Sequence, residues 1–239
     1  MAEFKGEVGI IIAVIGDIHG CFHTLKKLYA LILKKYPDIP VCTVGDLVDR
    51  GKFSYEAVEF VKKNRITFTA GNHDYMFYYF IKHPSSMLGR SWVFNGSETT
   101  LDSYSNRFAE MNRHLNFIIK APLILDLSDC FICHAGISNH YSRKLGKQPL
   151  ADKQKLINVI EKDLNSDHGI LWTRDKLLNL NKLQVVGHTR FQEITYVEES
   201  DTVYIDTAAC SGNKLSAVIV NDSNIVDRLS VPTEKLDIV

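Results

Sequence analysis

The sequence predicts an α/β fold in which two β-sheets pack face to face as a sandwich with helices outside. Three observations lead there. Apolar runs alternate with amphipathic stretches through the first third of the chain. Each of the first three apolar runs ends in a glycine and a polar residue: Gly16-Asp17, Gly45-Asp46 and Gly71-Asn72. The second half then carries many short β-like runs with few helical stretches between them.

Taken in order, Gly9–Ile15 is apolar and reads as a buried strand, and Cys21–Lys35 as an amphipathic helix. Pro40–Val44 is a strand, Ser54–Asn64 a helix, Ile66–Ala70 a strand and Asp74–Lys82 a helix. A repeat of strand, polar loop and helix implies parallel strands, with ligands at their carboxyl ends. All three polar clusters fall there. Farther on, Leu123–Leu127 and Cys130–Cys133 flank a Ser128-Asp129 turn. Gln184–Val186, Ile194–Glu198, Val203–Ile205, Leu215–Val220 and Ile225–Leu229 are further short strands, which suggests a second, mixed or antiparallel sheet. Residues 137–183 are more polar and contain Pro149; they read as a helical insertion near the site, within one domain spanning 1–239.

Composition narrows the function classes. Of the 239 residues 45% are hydrophobic, enough for a sizeable core, and the formal net charge is zero. That balance excludes a global basic field of the kind that coats nucleic acid or anionic membrane, while leaving room for local phosphate-binding arginines. The five cysteines are odd in number and irregular in spacing, so a reducing, cytosolic compartment is expected rather than a disulfide framework. Cys130 and Cys133 have C-x-x-C spacing, but in a strand positions three apart face opposite sides, and no second pair completes a zinc site. The apolar run Val8 to Ile15 lacks a cleavage site after it and is too short to span a bilayer.

Five motifs carry the chemistry: Gly16-Asp-Ile-His-Gly20, Gly45-Asp-Leu-Val-Asp-Arg-Gly51, Gly71-Asn-His-Asp74, Cys133-His-Ala-Gly136 and Gly187-His-Thr189. Each joins a metal-ligand or phosphate-binding residue to a small one that lets the backbone turn sharply. Any one alone is a common turn. All five in order, each at a predicted strand end, make a site. Phosphoester hydrolysis needs hydroxide brought to a phosphorus shielded by negative oxygens. Two metal ions about 3.5–4 Å apart can supply it at neutral pH. Mixed carboxylate, amide and imidazole ligands suit Mn, Fe or Zn.

These motifs resemble the calcineurin-like metallophosphoesterase superfamily, and more narrowly the lambda-phage-type bacterial serine/threonine protein phosphatases. The resemblance extends to Ile170-Leu-Trp-Thr-Arg-Asp175 and Tyr204-Ile-Asp-Thr207. It implies two divalent ions, Mn the expected metal, with Asp17 and His19 binding the first, Asp46 bridging, and Asn72, His134 and His188 binding the second. It implies His73 as general acid oriented by Asp49, and Arg50, Arg174 and Asn72 as phosphate-binding residues. The family's protein phosphatases usually have glutamate where this chain has Asp74, which is instead what the symmetrical diadenosine tetraphosphatases show. Ala208 stands where the family has a glycine after Asp-Thr, and motifs typical of eukaryotic catalytic subunits near the C-terminus are absent. The insertion is short, which points to a groove open to a phosphorylated protein or peptide. The alternative substrate is a dinucleoside polyphosphate. His23, His83, His114, His140 and His168 match no motif and are expected at the surface or as satisfied core residues, and the aromatics of Tyr75 to Phe80 as core packing.

Overall fold

Residues 11–239 are described by the computed structural model. Gly9 and Ile10 of the first predicted strand lie outside that range. Strand β1 (Ile12–Ile15) is buried along its length and forms the centre of the first sheet. It pairs in parallel with β2 (Val41–Thr43), which pairs in parallel with β3 (Thr67–Phe68). The connections are α1 (Phe22–Lys35) and α2 (Ser54–Lys63), the strand–helix crossovers the sequence predicts.

After β3 the chain forms α3 (Asn72–Lys82), α4 (Met87–Trp92), α5 (Glu98–Ser103) and α6 (Phe108–Ile118). The hydrophobic pattern predicts only α3. The next two are too short, at six residues each, for a helical period to register. They hold because Trp92, Tyr104, Met111 and Leu115 are buried in one cluster with Phe77, whose ring packs on Trp92 and Tyr104.

The second sheet contains β4 (Ile124–Asp126), β5 (Phe131–Cys133), β6 (Gln184–Val186), β7 (Thr195–Val197) and β8 (Thr202–Tyr204), in the order β4-β5-β6-β8-β7. Its pairing is mixed, with β5, β6 and β8 parallel and both edges antiparallel. The last strands, β9 (Lys214–Asn221) and β10 (Asn224–Pro232), return to the first sheet. There β9 pairs antiparallel with β1, giving the order β10-β9-β1-β2-β3.

The period of two along β1 builds the layers. Ile12 and Val14 face the second sheet, in a core shared with Ile132, Val185, Val203 and Val218. Ala13 and Ile15 face the other way, against Leu25 and Leu28 of α1 and Val58 of α2. The outer face of the second sheet (Phe131, Cys133, Val186) is covered by the region that holds α7 (Ser142–Leu145) and α8 (Lys153–Lys162). The result is the helix, sheet, sheet, helix sandwich the sequence predicts. Within 137–183 the helices occupy less of the segment than expected; residues 163–183 form turns and irregular backbone. Cys130 lies between the sheets and Cys133 on the outer face, and all five cysteines are free.

One long-range tie bears on the site. Helix α1 has no side-chain cap from its own N-cap residue, Cys21. The cap comes from Asp237: His23 N–H donates to Oδ1 at 3.0 Å, and Thr24 N–H to Oδ2 at 2.8 Å. Lys52 N–H donates to the Asp237 carbonyl at 2.9 Å. The carboxylate therefore satisfies orphan donors at a helix N-terminus, where the macrodipole also favours negative charge. Asp237→Ala is expected to cost about 1–2 kcal/mol, the upper range for a lost cap. Urea denaturation checks it, and an unchanged midpoint would remove Asp237 from that role.

Candidate metal centre

The loops after β1, β2, β3, β5, β6 and β8 converge at one end of the sandwich, as carboxyl-end loops do in open α/β sheets. Their backbones are bent hard. His19, Asp46, Asp49, Arg50 and His188 all have positive φ, a region that costs non-glycine residues about 1–2 kcal/mol each. Such strain is sustained where surrounding structure aims side chains at a common point. Two glycines permit the approach. A Cβ at Gly71 would lie 2.1 Å from Asp46 Oδ1, and one at Gly187 1.9 Å from Asp17 Oδ1.

The imidazoles show what the convergence is for. His134 Nδ1 donates to the Val44 carbonyl at 2.9 Å, which leaves Nε2 as a bare lone pair. That lone pair faces Asn72 Oδ1 at 2.9 Å and Asp46 Oδ2 at 3.5 Å. His188 Nε2 donates to the Trp172 carbonyl at 3.2 Å, and its Nδ1 also faces Asn72 Oδ1, at 3.1 Å. His19 Nδ1 donates to the Val48 carbonyl at 2.9 Å, and its Nε2 lies 3.4 Å from Asp46 Oδ2. In His134 and His188 the proton is turned outward onto a backbone carbonyl and the lone pair inward onto the Asn72 amide oxygen, while the inward lone pair of His19 meets Arg50 beside Asp46. Acceptors aimed at acceptors need a cation between them, and outward carbonyl bonds are how metal-binding histidines are oriented.

Charge leads to the same conclusion. Burial, then the neighbouring Asp206 and Asp46, push the Asp17 carboxyl well above its ordinary value. Burial likewise raises Asp206. Burial would raise Asp46 too, but the imidazoles of His134, His73 and His19, with the Arg50 guanidinium, hold it below the usual carboxylate range. His188 is lowered to about 3 by burial, then by His134 and Arg174, so it is neutral as a ligand must be. Crowded buried carboxylates beside imidazole ligand atoms form a site that a divalent ion would relieve. Among the described residues, two groups have ligand atoms within 4.8 Å of one another: Asp17, Asp46 and His134, and His19, Asp46 and His73. Asp46 belongs to both. The donor set fits two ions.

His73 has a different attachment. Its Nδ1 donates to Asp49 Oδ2 at 2.6 Å, and its Nε2 accepts from Arg50 Nη2 at 2.7 Å. Asp49 also accepts Trp92 Nε1–H at 2.7 Å and Thr100 Oγ1–H at 2.7 Å. These bonds lock its orientation, although burial raises its pKa. Trp92 and Thr100 come from the short helices α4 and α5, and sequence patterning does not reveal them. Arg50 Nη1 donates to His19 Nε2 at 2.6 Å, so the guanidinium spans both imidazoles.

Asp74, the residue shared with the symmetrical tetraphosphatases, is wholly buried away from the cleft. It accepts Leu47 N–H and Gly71 N–H, each at 2.9 Å, and so brackets the loop after β2 to the start of α3. Ala208 adopts the left-handed backbone that a glycine would take without strain (φ +59), and its N–H donates to Asp206 Oδ1 at 2.9 Å.

A cavity of about 400 Å³ opens over the cluster, lined by Asp46, Asn72, His73 and His188 and by three arginines, Arg50, Arg174 and Arg190. Every residue the sequence singles out for the site is therefore gathered at one place, with Arg174 exposed at the rim. Arg190 and Asp206 are additions. Arg190 adjoins the Gly187-His-Thr189 motif, and Asp206 lies in the Tyr204–Thr207 stretch, so adjacency to recognised residues is the signal that could have found them. A second, open depression of about 460 Å³ beside Lys52 and Arg107 holds none of these groups.

Comparison with known proteins adds four findings. The family model described as calcineurin-like phosphoesterase matches residues 10–220. The asymmetrical bis(5′-nucleosyl)-tetraphosphatase PrpE of Anoxybacillus flavithermus is 30% identical, over 94% of this chain and 95% of its own. Among solved structures, a provisionally assigned diadenosine tetraphosphatase superposes with TM-score 0.61 at 19% identity, covering 97% of both chains. The cold-active protein-tyrosine phosphatase of a Shewanella species superposes with TM-score 0.59 at 17% identity, covering 95% of this chain and 81% of its own.

Proposed function

The chain belongs to the calcineurin-like phosphoesterase family, and from that premise we propose that it is a two-metal hydrolase of dinucleoside polyphosphates that splits the tetraphosphate asymmetrically. The observation that carries this reading is the likeness to an asymmetrical tetraphosphatase over nearly the whole of both chains. It weighs against the phosphoprotein substrate that the short insertion suggests and against the symmetrical split. The likeness to a protein phosphatase is at an identity that speaks to fold alone. Among the described residues no helix is long and apolar enough to cross a membrane.

In this reading Asp17 and His19 would hold one divalent ion and Asn72, His134 and His188 the other, with Asp46 shared. Manganese is the expected metal, and iron or zinc would also suit these ligands. Bound there, the ions supply charge that activates a water and offsets the negative charge growing on the phosphoryl oxygens. The rest falls to side chains. Arg50 and Arg174 grip the reacting phosphoryl group with their planar forks. The water oxygen bonds to phosphorus as the bond to the departing nucleotide breaks. The departing oxygen takes its proton from His73 Nε2 in the imidazolium form, while Asp49 holds the proton on Nδ1 and stabilises the charge.

The test is a metal-replete assay of diadenosine tetraphosphate against a panel of phosphoserine, phosphothreonine and phosphotyrosine peptides. The expected products are ATP and AMP, with a higher kcat/KM than any peptide. Two molecules of ADP would overturn the asymmetrical split. A peptide preferred over the dinucleotide would return the enzyme to the phosphoprotein phosphatases.

A further inference from the structure

We infer that Arg190 forms a subsite for a second phosphate of a polyphosphate chain, beside the pair of arginines that hold the reacting phosphoryl group. The substrate class rests on the function proposed above. The subsite itself is marked by the cavity. Its lining carries three guanidinium groups, Arg50, Arg174 and Arg190, against one carboxylate, Asp46. Two ions and two arginine forks already offer more positive charge and more donors than one terminal phosphoryl group can use. A third guanidinium on the same wall calls for further anionic oxygens. The volume, about 400 Å³, lies within the range of small-molecule sites.

Arg190 is also free to take such a ligand. Among the described residues its guanidinium makes no hydrogen bond, and its nearest carboxylate is Asp206, 3.9 Å from Nε. Asp206 Oδ1 is already engaged by Ala208 N–H. The Nη edge of the fork, the edge that would meet phosphate oxygens, therefore has no protein acceptor. The backbone is tied on both sides of Arg190: Thr189 N–H donates to the Gly187 carbonyl at 2.6 Å, and Phe191 N–H to the Asp206 carbonyl at 3.0 Å. A fixed stem with an unpaired fork at the rim is the form of a recognition residue rather than of a structural ion pair.

Calorimetric titration of the Mn²⁺-loaded protein tests this without turnover of the proposed substrate. The probes are tripolyphosphate and orthophosphate at matched free Mn²⁺. Wild type is expected to bind tripolyphosphate more tightly. Arg190→Ala is expected to lose about tenfold more affinity for tripolyphosphate than for orthophosphate, the scale of a charge-assisted hydrogen-bonded pair. Arg190→Lys should recover part of the difference, since it keeps the charge but not the fork. Equal losses on both probes would place Arg190 in the clamp on the reacting group, and no loss on either would leave it without a role. Either result overturns the subsite, as would a wild type indifferent between the probes. If wild type fails to cleave diadenosine tetraphosphate while the selective loss is seen, the substrate reading falls and the subsite stands. Cleavage without the selective loss does the reverse: the substrate reading stands and the subsite falls.

Discussion

Asp46→Asn is expected to lower turnover on the order of 10³-fold or more, which corresponds to about 4 kcal/mol of lost transition-state stabilisation, and to leave the protein short of metal. The substitution keeps the shape of the side chain. The new amide would still offer an oxygen to His73 N–H, which donates to Asp46 Oδ1 at 2.9 Å. What goes is the negative charge shared by the two ligand groups that contain Asp46. A neutral amide cannot hold two cations close together, and two-metal catalysis depends on that spacing. Metal content by mass spectrometry and kcat on the same preparation are the measurements, with circular dichroism to show that the variant is folded. Wild-type turnover with a full metal complement would remove Asp46 from the bridge.

His73→Asn is expected to behave differently. General acid–base groups contribute about 10²–10⁴-fold, and the loss here should come with both ions retained. Its size should depend on the leaving group. An alkoxide leaves poorly without a proton, so a phosphoserine-type ester should lose most. The triphosphate that departs from a dinucleoside tetraphosphate is already a stable anion and should lose least. A loss of the same size on an alkyl monoester and on the anhydride would count against proton donation by His73. Loss of metal in the variant would make His73 a ligand, as its place in a group with His19 and Asp46 permits. The contact to Asp49 at 2.6 Å favours the acid role, because that bond fixes which nitrogen faces the cleft.

How much of this is legible in the sequence depends on where each residue stands. The proposed ligands can be read because each lies at or just past the end of an apolar run, with a glycine beside it or, for His134, two residues on, and a strand end followed by a sharp turn leaves a mark in sequence. Strands β1 to β3 and helices α1 to α3 follow from period and turn residues, whereas β9 and β10, read from sequence as part of the second sheet, pair instead in the first. Helices α4 and α5 do not, since six residues make too few turns to show an amphipathic face. The two side chains that orient Asp49, Trp92 and Thr100, are hidden with them. Asp74 points toward the dinucleotide alternative, although its carboxylate binds two backbone N–H groups behind the site and touches no substrate position. Substrate class is the least legible property. In the proposed reading the motif residues would hold the ions and the reacting phosphoryl group, and substrates would be distinguished on the rim, at positions such as Arg190 that belong to none of the five motifs.

The placement of β1 between β2 and β9 has a consequence for how the molecule is made. Residues 12–15 pair with residues 41–43 early, but their other neighbour is at 217–220. A ribosome must add roughly ten more seconds or longer of chain, at about 5–20 residues per second, before that partner exists. Until then one edge of a buried, wholly apolar strand has no neighbour to pair with, and open edges recruit other chains. Asp17 and His19, at the end of that strand, wait with it, as do their distant companions His134 and His188. Nascent chains stalled before residue 214 should therefore be clients for chaperones rather than weak enzymes, and affinity for metal should arrive late and all at once.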